Sequence, residues 1–133
     1  MIYYLDTDTC VFFLKNTYPG LTNRLLTHHP SEIVIPSMVV AELMHGAHKS
    51  AKVAQNLEQT RKFLWVFDVA PFNETAACIY GDLRSRLEGE GNAIGPGDLV
   101  IAATVMSENG ILVTHKTKEF SRVPNLSIED WTE

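Results

Sequence analysis

Four acids in this sequence stand at or just beyond points where the chain changes character. Asp6 follows an apolar run at residues 2–5, and Asp8 comes two residues later. Glu42 lies shortly after the Pro36-Ser37 break, between Ala41 and Leu43, and Asp98 follows Gly95-Pro96-Gly97. Carboxylates brought together without compensation repel, and some of them take up protons. A divalent cation removes that conflict, and hard oxygen donors with no cysteine beside them favour Mg²⁺ or Mn²⁺ over zinc. Such a cation activates water and offsets charge on a phosphoryl group, so hydrolysis of a phosphodiester is the chemistry these residue types suit. Each acid also has a plainer reading. Asp6 or Asp8 can cap a first helix, Asp98 can cap a later one, Glu42 can face solvent, and Glu119 can be a surface charge. The joint pattern is what those readings leave unexplained: three strand-to-helix junctions each carry an acid within about one turn of the helix start.

The elements that must position these residues alternate in type. Residues 2–5 read as a strand, 10–14 as a helix, and Leu21, Leu25 and Leu26 as a second short helix. Residues 33–35 read as a strand, followed by a helix from Met38 whose Val40, Leu43, Met44 and Ala47 recur at helical spacing. A helix over 51–64 and a strand from Val66 to about Ala70 follow. Residues 74–88 form a long amphipathic pattern, a glycine-rich loop comes next, and 98–106 is apolar almost all round, as a buried helix must be. A last strand is expected at 111–114. Short apolar strands alternating with helices predict an α/β fold with a mainly parallel sheet. In such sheets ligands bind beyond the carboxyl ends of the strands. That edge would gather Asp6, Asp8, Asp98 and the polar segment after residue 114, with Glu42 starting from the same side.

Other chemistries find less support. Glu42-x-x-His45 matches one half of a carboxylate-bridged di-iron unit, but no second copy is present. His45 and His48 read as the polar face of a helix, His28-His29 as a loop, and His115 follows a strand at the candidate edge. No zinc-protease, P-loop, dinucleotide or nucleophile-elbow motif occurs. The chain has 133 residues, 45% hydrophobic and 20% charged, which suits one globular domain. Eleven basic against sixteen acidic residues give a net charge of −5, which argues against a dense basic face for non-specific nucleic-acid binding. It leaves room for an enzyme that reaches phosphate through a cation. Cys10 and Cys78 read as two free, buried thiols of a reducing compartment. No apolar run approaches the roughly 20 residues of a membrane span, so a soluble cytoplasmic protein without a membrane partner is expected. Phe12, Phe13 and Trp65 read as core residues, and Trp131 as an anchor for the tail.

Leu5-Asp6-Thr7-Asp8, Val40-Ala41-Glu42-Leu43 with Gly46-Ala47, and the stretch from Gly95-Pro96-Gly97-Asp98 to Ala103 resemble PIN-domain ribonucleases. Leu112-Val113-Thr114-His115, Glu119-Phe120-Ser121-Arg122-Val123-Pro124 and Ile128-Glu129-Asp130-Trp131 are similar to bacterial VapC toxins, in particular the branch that cuts initiator tRNA. The likeness is nearly full-length and in order. It implies that residues 1–133 form a single PIN domain, a three-layer α/β/α sandwich with a mainly parallel central sheet. It further implies a dimeric, Mg²⁺-dependent endoribonuclease in which Mn²⁺ can substitute, acting on RNA, with initiator tRNA cut in the anticodon loop. A VapB-type antitoxin would neutralise it and bind operator DNA with it. By position, Asp6, Glu42 and Asp98 match the three acids of the family, Asp6 and Asp98 match its metal ligands, and Glu119 is the best match to a fourth acid. Thr7, Asp8, Thr114 and Lys116 are supporting candidates. Two positions depart from the family pattern: Asp8 replaces a common Asn and adds charge beside Asp6, and Lys116 lies where Asn is frequent. Lys116 reads as a surface lysine, with contact to RNA phosphate as the alternative.

Attack by activated water would leave a 5′-phosphate and a 3′-hydroxyl. Lys15, Lys49, Lys52, Lys116 and Lys118 fall near the expected edge, and few phosphate contacts would give RNA binding a shallow salt dependence. Two rivals are weighed against the nuclease. One is a non-catalytic PIN-like protein-binding module whose acids only cap helices. The other is a phosphate-accepting receiver domain, for which Asp68 and Lys116 are poor matches to the mid-chain acid and late lysine required.

Overall fold

The computed structural model describes residues 1–132, along which strands and helices alternate. Strand β1 (Tyr3–Leu5) leads into α1 (Thr7–Lys15) and α2 (Pro19–Thr27), and a single 3₁₀ turn at Pro30–Glu32 precedes β2 (Ile33–Pro36). Helices α3 (Ser37–His48) and α4 (Val53–Trp65) lead to β3 (Asp68–Ala70), and α5 (Glu74–Gly89) and α6 (Pro96–Ser107) lead to β4 (Ile111–Val113). A short α7 (Thr117–Phe120) joins β4 to β5 (Ser127–Glu129). The strands pair in the order β3-β2-β1-β4-β5, every pair parallel, so the sheet is wholly rather than mainly parallel. Parallel strands need crossover connections, which are right-handed by the twist of the chain. The crossovers β1–β2 and β2–β3 therefore run over one face, where α1 packs on α2, α3 and α4. The β3–β4 crossover returns over the other face, where α5 packs on α6.

Helix α6 shows how the pattern sets the packing. Leu99, Ile101, Ala102, Ala103 and Val105 are all buried, each large side chain stabilising the fold by about 1.5–3 kcal/mol. Its end is sealed by Tyr4, whose ring lies so close on Gly110 that a Cβ there would collide with it. The Tyr4 hydroxyl donates to Glu108 at 2.5 Å.

The tail packs against the first residue of β1 and the end of α2. Trp131 is buried, stacks on His28 with ring centroids 5.1 Å apart, and packs against Tyr3. Its indole N–H donates to Glu129 Oε1 at 3.0 Å, and Arg24 donates to the same oxygen at 3.0 Å while lying over the indole ring. The anchoring role expected of Trp131 is what the packing shows.

Several expectations are corrected. Helix α1 starts at Thr7, not near Cys10, because Asp6 caps it. Helix α6 starts at Pro96, so Asp98 is in its first turn and Gly95 holds the cap position. Residues 66–67 extend the end of α4 rather than beginning β3. Strand β5 and helix α7 were not anticipated, since Ile128 is the only apolar residue of β5. Cys10 is buried, but Cys78 is exposed, on the outer side of α5. Trp65 is not in the core: it is 92% exposed at the end of α4. Phe12 and Phe13 are partly buried against the core, as expected.

Candidate active site

Strands β1 and β4 are neighbours, yet the chain leaves β1 toward β2 and β4 toward β5, on opposite sides. The crevice between their carboxyl ends is the topological switch point where open parallel sheets bind ligands. The backbone N–H of Asp6 donates to the Val113 carbonyl at 3.2 Å, which brings the residue after β1 against the end of β4.

Asp6 is 2% exposed. Its Oδ1 accepts from the Thr9 backbone N–H at 2.9 Å, the N-cap bond of α1, and its Oδ2 accepts from the Thr114 hydroxyl at 2.6 Å. The capping reading and the edge reading are therefore both true of one side chain. Burial pushes its pKa above the ordinary carboxyl value, and the bonds from Thr114 and Thr9 oppose that shift without cancelling it. Thr114 is buried beside it, and its hydroxyl oxygen accepts from the Lys116 backbone N–H at 2.9 Å.

Glu42 reaches the site from α3. Its Oε1 accepts from the Thr7 hydroxyl at 2.5 Å, and its Oε2 lies 3.1 Å from where a Cβ on residue 97 would stand. Only glycine lets the first turn of α6 come this close without moving the carboxylate. That turn carries Asp98, whose side chain is 20% exposed and sits at the positive end of the helix dipole.

A cation already stands among these acids. The Lys116 ammonium is 3.3 Å from Asp98 Oδ2 and 3.8 Å from Asp8 Oδ2. Burial works against its charge, but Asp98, Asp8 and Asp6 outweigh burial and hold its pKa above the ordinary lysine value. Lys116 is thus no idle surface lysine. Among the described residues no three or more Asp, Glu, His or Cys side chains are arranged as a metal cage. The donors are nonetheless hard carboxylate oxygens that hold a positive charge in place, the chemistry that suits Mg²⁺ or Mn²⁺.

The structure brings together Asp6 and Thr114, Glu42 and Thr7, and Asp98, Asp8 and Lys116. It does not join Glu119 to them: that residue is partly buried on α7, and among the described residues its carboxylate has no hydrogen bond or ion pair. His115 is committed elsewhere, with Nδ1 2.9 Å from Asp130 Oδ2 and its ring against Phe12 and Tyr18. His45 and His48 are exposed on α3. Sequence reasoning missed Thr9 and Gly97. Thr9 supplies the cap bond and ties its own hydroxyl to the Val113 carbonyl at 3.1 Å. A glycine inside the first turn of a buried helix, one residue before Asp98, was the available signal for the second. Beside Glu42 a groove of about 340 Å³ runs between α1, α3 and α4, lined by Val11, Leu14, Leu43 and Ala47, with Lys15 and Lys49 also on its wall. No helix among the described residues is long and apolar enough to cross a membrane.

The chain is similar to known proteins over almost its whole length. The family model for the PIN domain matches residues 3–126. Ribonuclease VapC2 of Rickettsia felis is 41% identical over 132 residues, which is 98% of each chain. The tRNA(fMet)-specific endonuclease VapC of Salmonella typhimurium is 34% identical over 129 residues, 97% of each. The crystal structure of VapBC2 from Rickettsia felis bound to a DNA fragment from their promoter superposes with a TM-score of 0.92 at 39% identity, covering 98% of this chain and 99% of that one. The family match, the near full-length identities and the shared fold lead to one conclusion: this chain belongs to the PIN-domain family, among the VapC ribonucleases.

Proposed function

We propose that this protein is the toxin of a type II toxin–antitoxin pair, a Mg²⁺-dependent endoribonuclease that cuts initiator tRNA in the anticodon loop in the cytoplasm. The observation that carries the reading is the placement of Asp6 at the β1–β4 switch point, with Asp8 and Asp98 paired to the Lys116 ammonium and Glu42 against the turn of α6 that carries Asp98. The tRNA(fMet)-specific relative supports the substrate. The promoter-bound VapBC2 structure supports a VapB-type antitoxin as partner, with the pair binding operator DNA. A homodimer is part of the same proposal.

The residues divide the work. Asp6 and Asp98 would hold the cation, Mg²⁺ or Mn²⁺, which when bound offsets charge on the phosphoryl group and makes a water more acidic. Thr9 and Thr114 fix both oxygens of Asp6, so its carboxylate is oriented before substrate arrives. Glu42, held by Thr7, takes the proton of the attacking water, as a carboxylate in hydrogen-bond reach of that water does. Glu119 would hold a water beside the cation or a second ion brought with the substrate. Lys15 and Lys49, in the groove beside Glu42, supply positive charge for the RNA on an otherwise acidic protein.

The test is cleavage of a purified tRNA pool with Mg²⁺ or Mn²⁺, with EDTA, and with Asp98→Ala. One metal-dependent cut in one anticodon loop is expected, with a 5′-phosphate on the downstream fragment. Asp98→Ala should slow it on the order of 10³-fold, the scale for losing a main stabiliser of transition-state charge. A 2′,3′-cyclic phosphate would overturn attack by water. No cut by folded, antitoxin-free protein would overturn the substrate, and unaltered toxicity of Asp98→Ala in cells would favour the protein-binding module.

A further inference from the structure

Among the described residues Lys116 alone forms ion pairs with the acids of the site. Its backbone is anchored to Thr114, the same hydroxyl that holds Asp6. Its ammonium spans Asp98 on α6 and Asp8 on α1, two elements that nothing else of opposite charge bridges there. The side chain is 40% exposed, and a lysine stem has enough rotatable bonds to swing into solvent with its root fixed.

We infer that Lys116 is a tethered counter-ion of this site: its ammonium holds the space between Asp98 and Asp8 while no divalent cation is bound, and the arriving cation displaces it. The inference rests on the proposed role of Asp98 as a metal ligand. A divalent cation bound at Asp98 Oδ2 would stand at contact distance from the ammonium already on that oxygen, where two positive charges repel strongly. Asp98 must therefore exchange one cation for the other. The exchange has two consequences. Without metal, the crowded acids are partly neutralised from within, so the edge folds without a bound ion. With metal, the ion pairs to Lys116 are lost, so affinity is lower than the same acids would show without the lysine.

The experiment is calorimetric titration of Mn²⁺ into the full chain, free of antitoxin and RNA, at fixed ionic strength. Wild type is compared with Lys116→Met, Lys116→Gln and Lys118→Met. Lys118 is exposed on α7, just after Lys116, and among the described residues pairs with none of the acids, so its loss removes equal charge without removing a counter-ion. Both Lys116 variants should bind Mn²⁺ about tenfold tighter, while Lys118→Met should change affinity less than about twofold. In wild type, acylation of the Lys116 amine, read by peptide mass spectrometry, should rise when Mn²⁺ saturates the site. Equal or weaker Mn²⁺ binding by both Lys116 variants, or no change in acylation, overturns the counter-ion role alone. No Mn²⁺ binding by any of these proteins overturns the metal reading of the site, and this inference with it.

Discussion

Asp6 meets Thr114 across 108 positions of sequence, and Arg24 meets Glu129 across 105. The acidic edge and the Trp131 tail are thus joined by the same topology, which lays β1 beside β4 and β4 beside β5. Their charge balance differs. In the tail, Glu129 receives both Arg24 and the indole N–H, and Asp130 receives His115 and Thr132. Burial alone would raise the pKa of Asp130, but the bonds from Thr132 and His115 bring it below the ordinary value. At the edge, Asp8 and Asp98 share one ammonium, Asp6 and Glu42 are held only by neutral donors, and the pKa of Asp6 goes up. A region whose polar groups are matched within the chain contributes stability. A region left with excess charge of one sign contributes a place for a ligand, at a cost to stability.

That contrast can be broken by experiment. The largest effect belongs to the tail: Trp131→Ala should cost about 3–5 kcal/mol of stability, the scale for emptying a buried aromatic site. Urea unfolding measures it, and a loss under 1 kcal/mol, well short of that scale, would show that the tail is not the structural half of the pair. At the edge, Gly97→Ala should act on rate instead. The new methyl would press on Glu42 Oε2 from 3.1 Å, and displacing an aligned group by a few tenths of an ångström should slow cleavage about tenfold. Stability should hold or rise, since alanine favours a helix. Unchanged single-turnover rates would mean that the present position of Glu42 is not the working one.

The smallest effect tests the cost of the excess charge. Asn caps a helix as well as Asp does, so Asp6→Asn should remove the buried charge and keep the bond to Thr9. In EDTA at neutral pH the variant should be more stable than wild type, because burial penalises the charge that it removes. The sign follows from linkage: with its folded pKa raised, the wild-type protein binds this proton more readily folded than unfolded. Its relative stability therefore improves as pH falls through the folded pKa. The advantage of Asp6→Asn should shrink over that range and vanish below the ordinary carboxyl value. A variant less stable than wild type at neutral pH would mean that the Thr9 and Thr114 bonds outweigh burial.

Much of this was legible in the chain. An acid after an apolar run marked Asp6 as both cap and edge residue, because a β-to-α junction in a parallel sheet always falls at the carboxyl end of a strand. The all-round apolar run before residue 107 marked α6 as buried, and a lone tryptophan in a polar tail marked an anchor. Strand β5 was not legible, since an edge strand with one apolar residue is held by its neighbour β4 and has almost no pattern of its own. Cys78 and Trp65 were misplaced for a related reason: residue type favours burial, but the face of a helix and the last turn of another decided otherwise. Glu119 matched a family position, yet no hydrogen bond or ion pair draws it to the other acids.

By itself the sequence determined the alternation of elements, the acids that end or begin them, and hence the edge at which they had to gather. Those are local properties, carried by spacing and by the residues that cap and break. Only the tertiary structure decided which partner each acid keeps: Thr114 for Asp6, Thr7 for Glu42, and Lys116 for Asp98 and Asp8 together. All of those pairings link residues 18 to 108 positions apart. The order of strands, not any pattern along the chain, brings such distant residues within the few ångströms over which a hydrogen bond or ion pair acts.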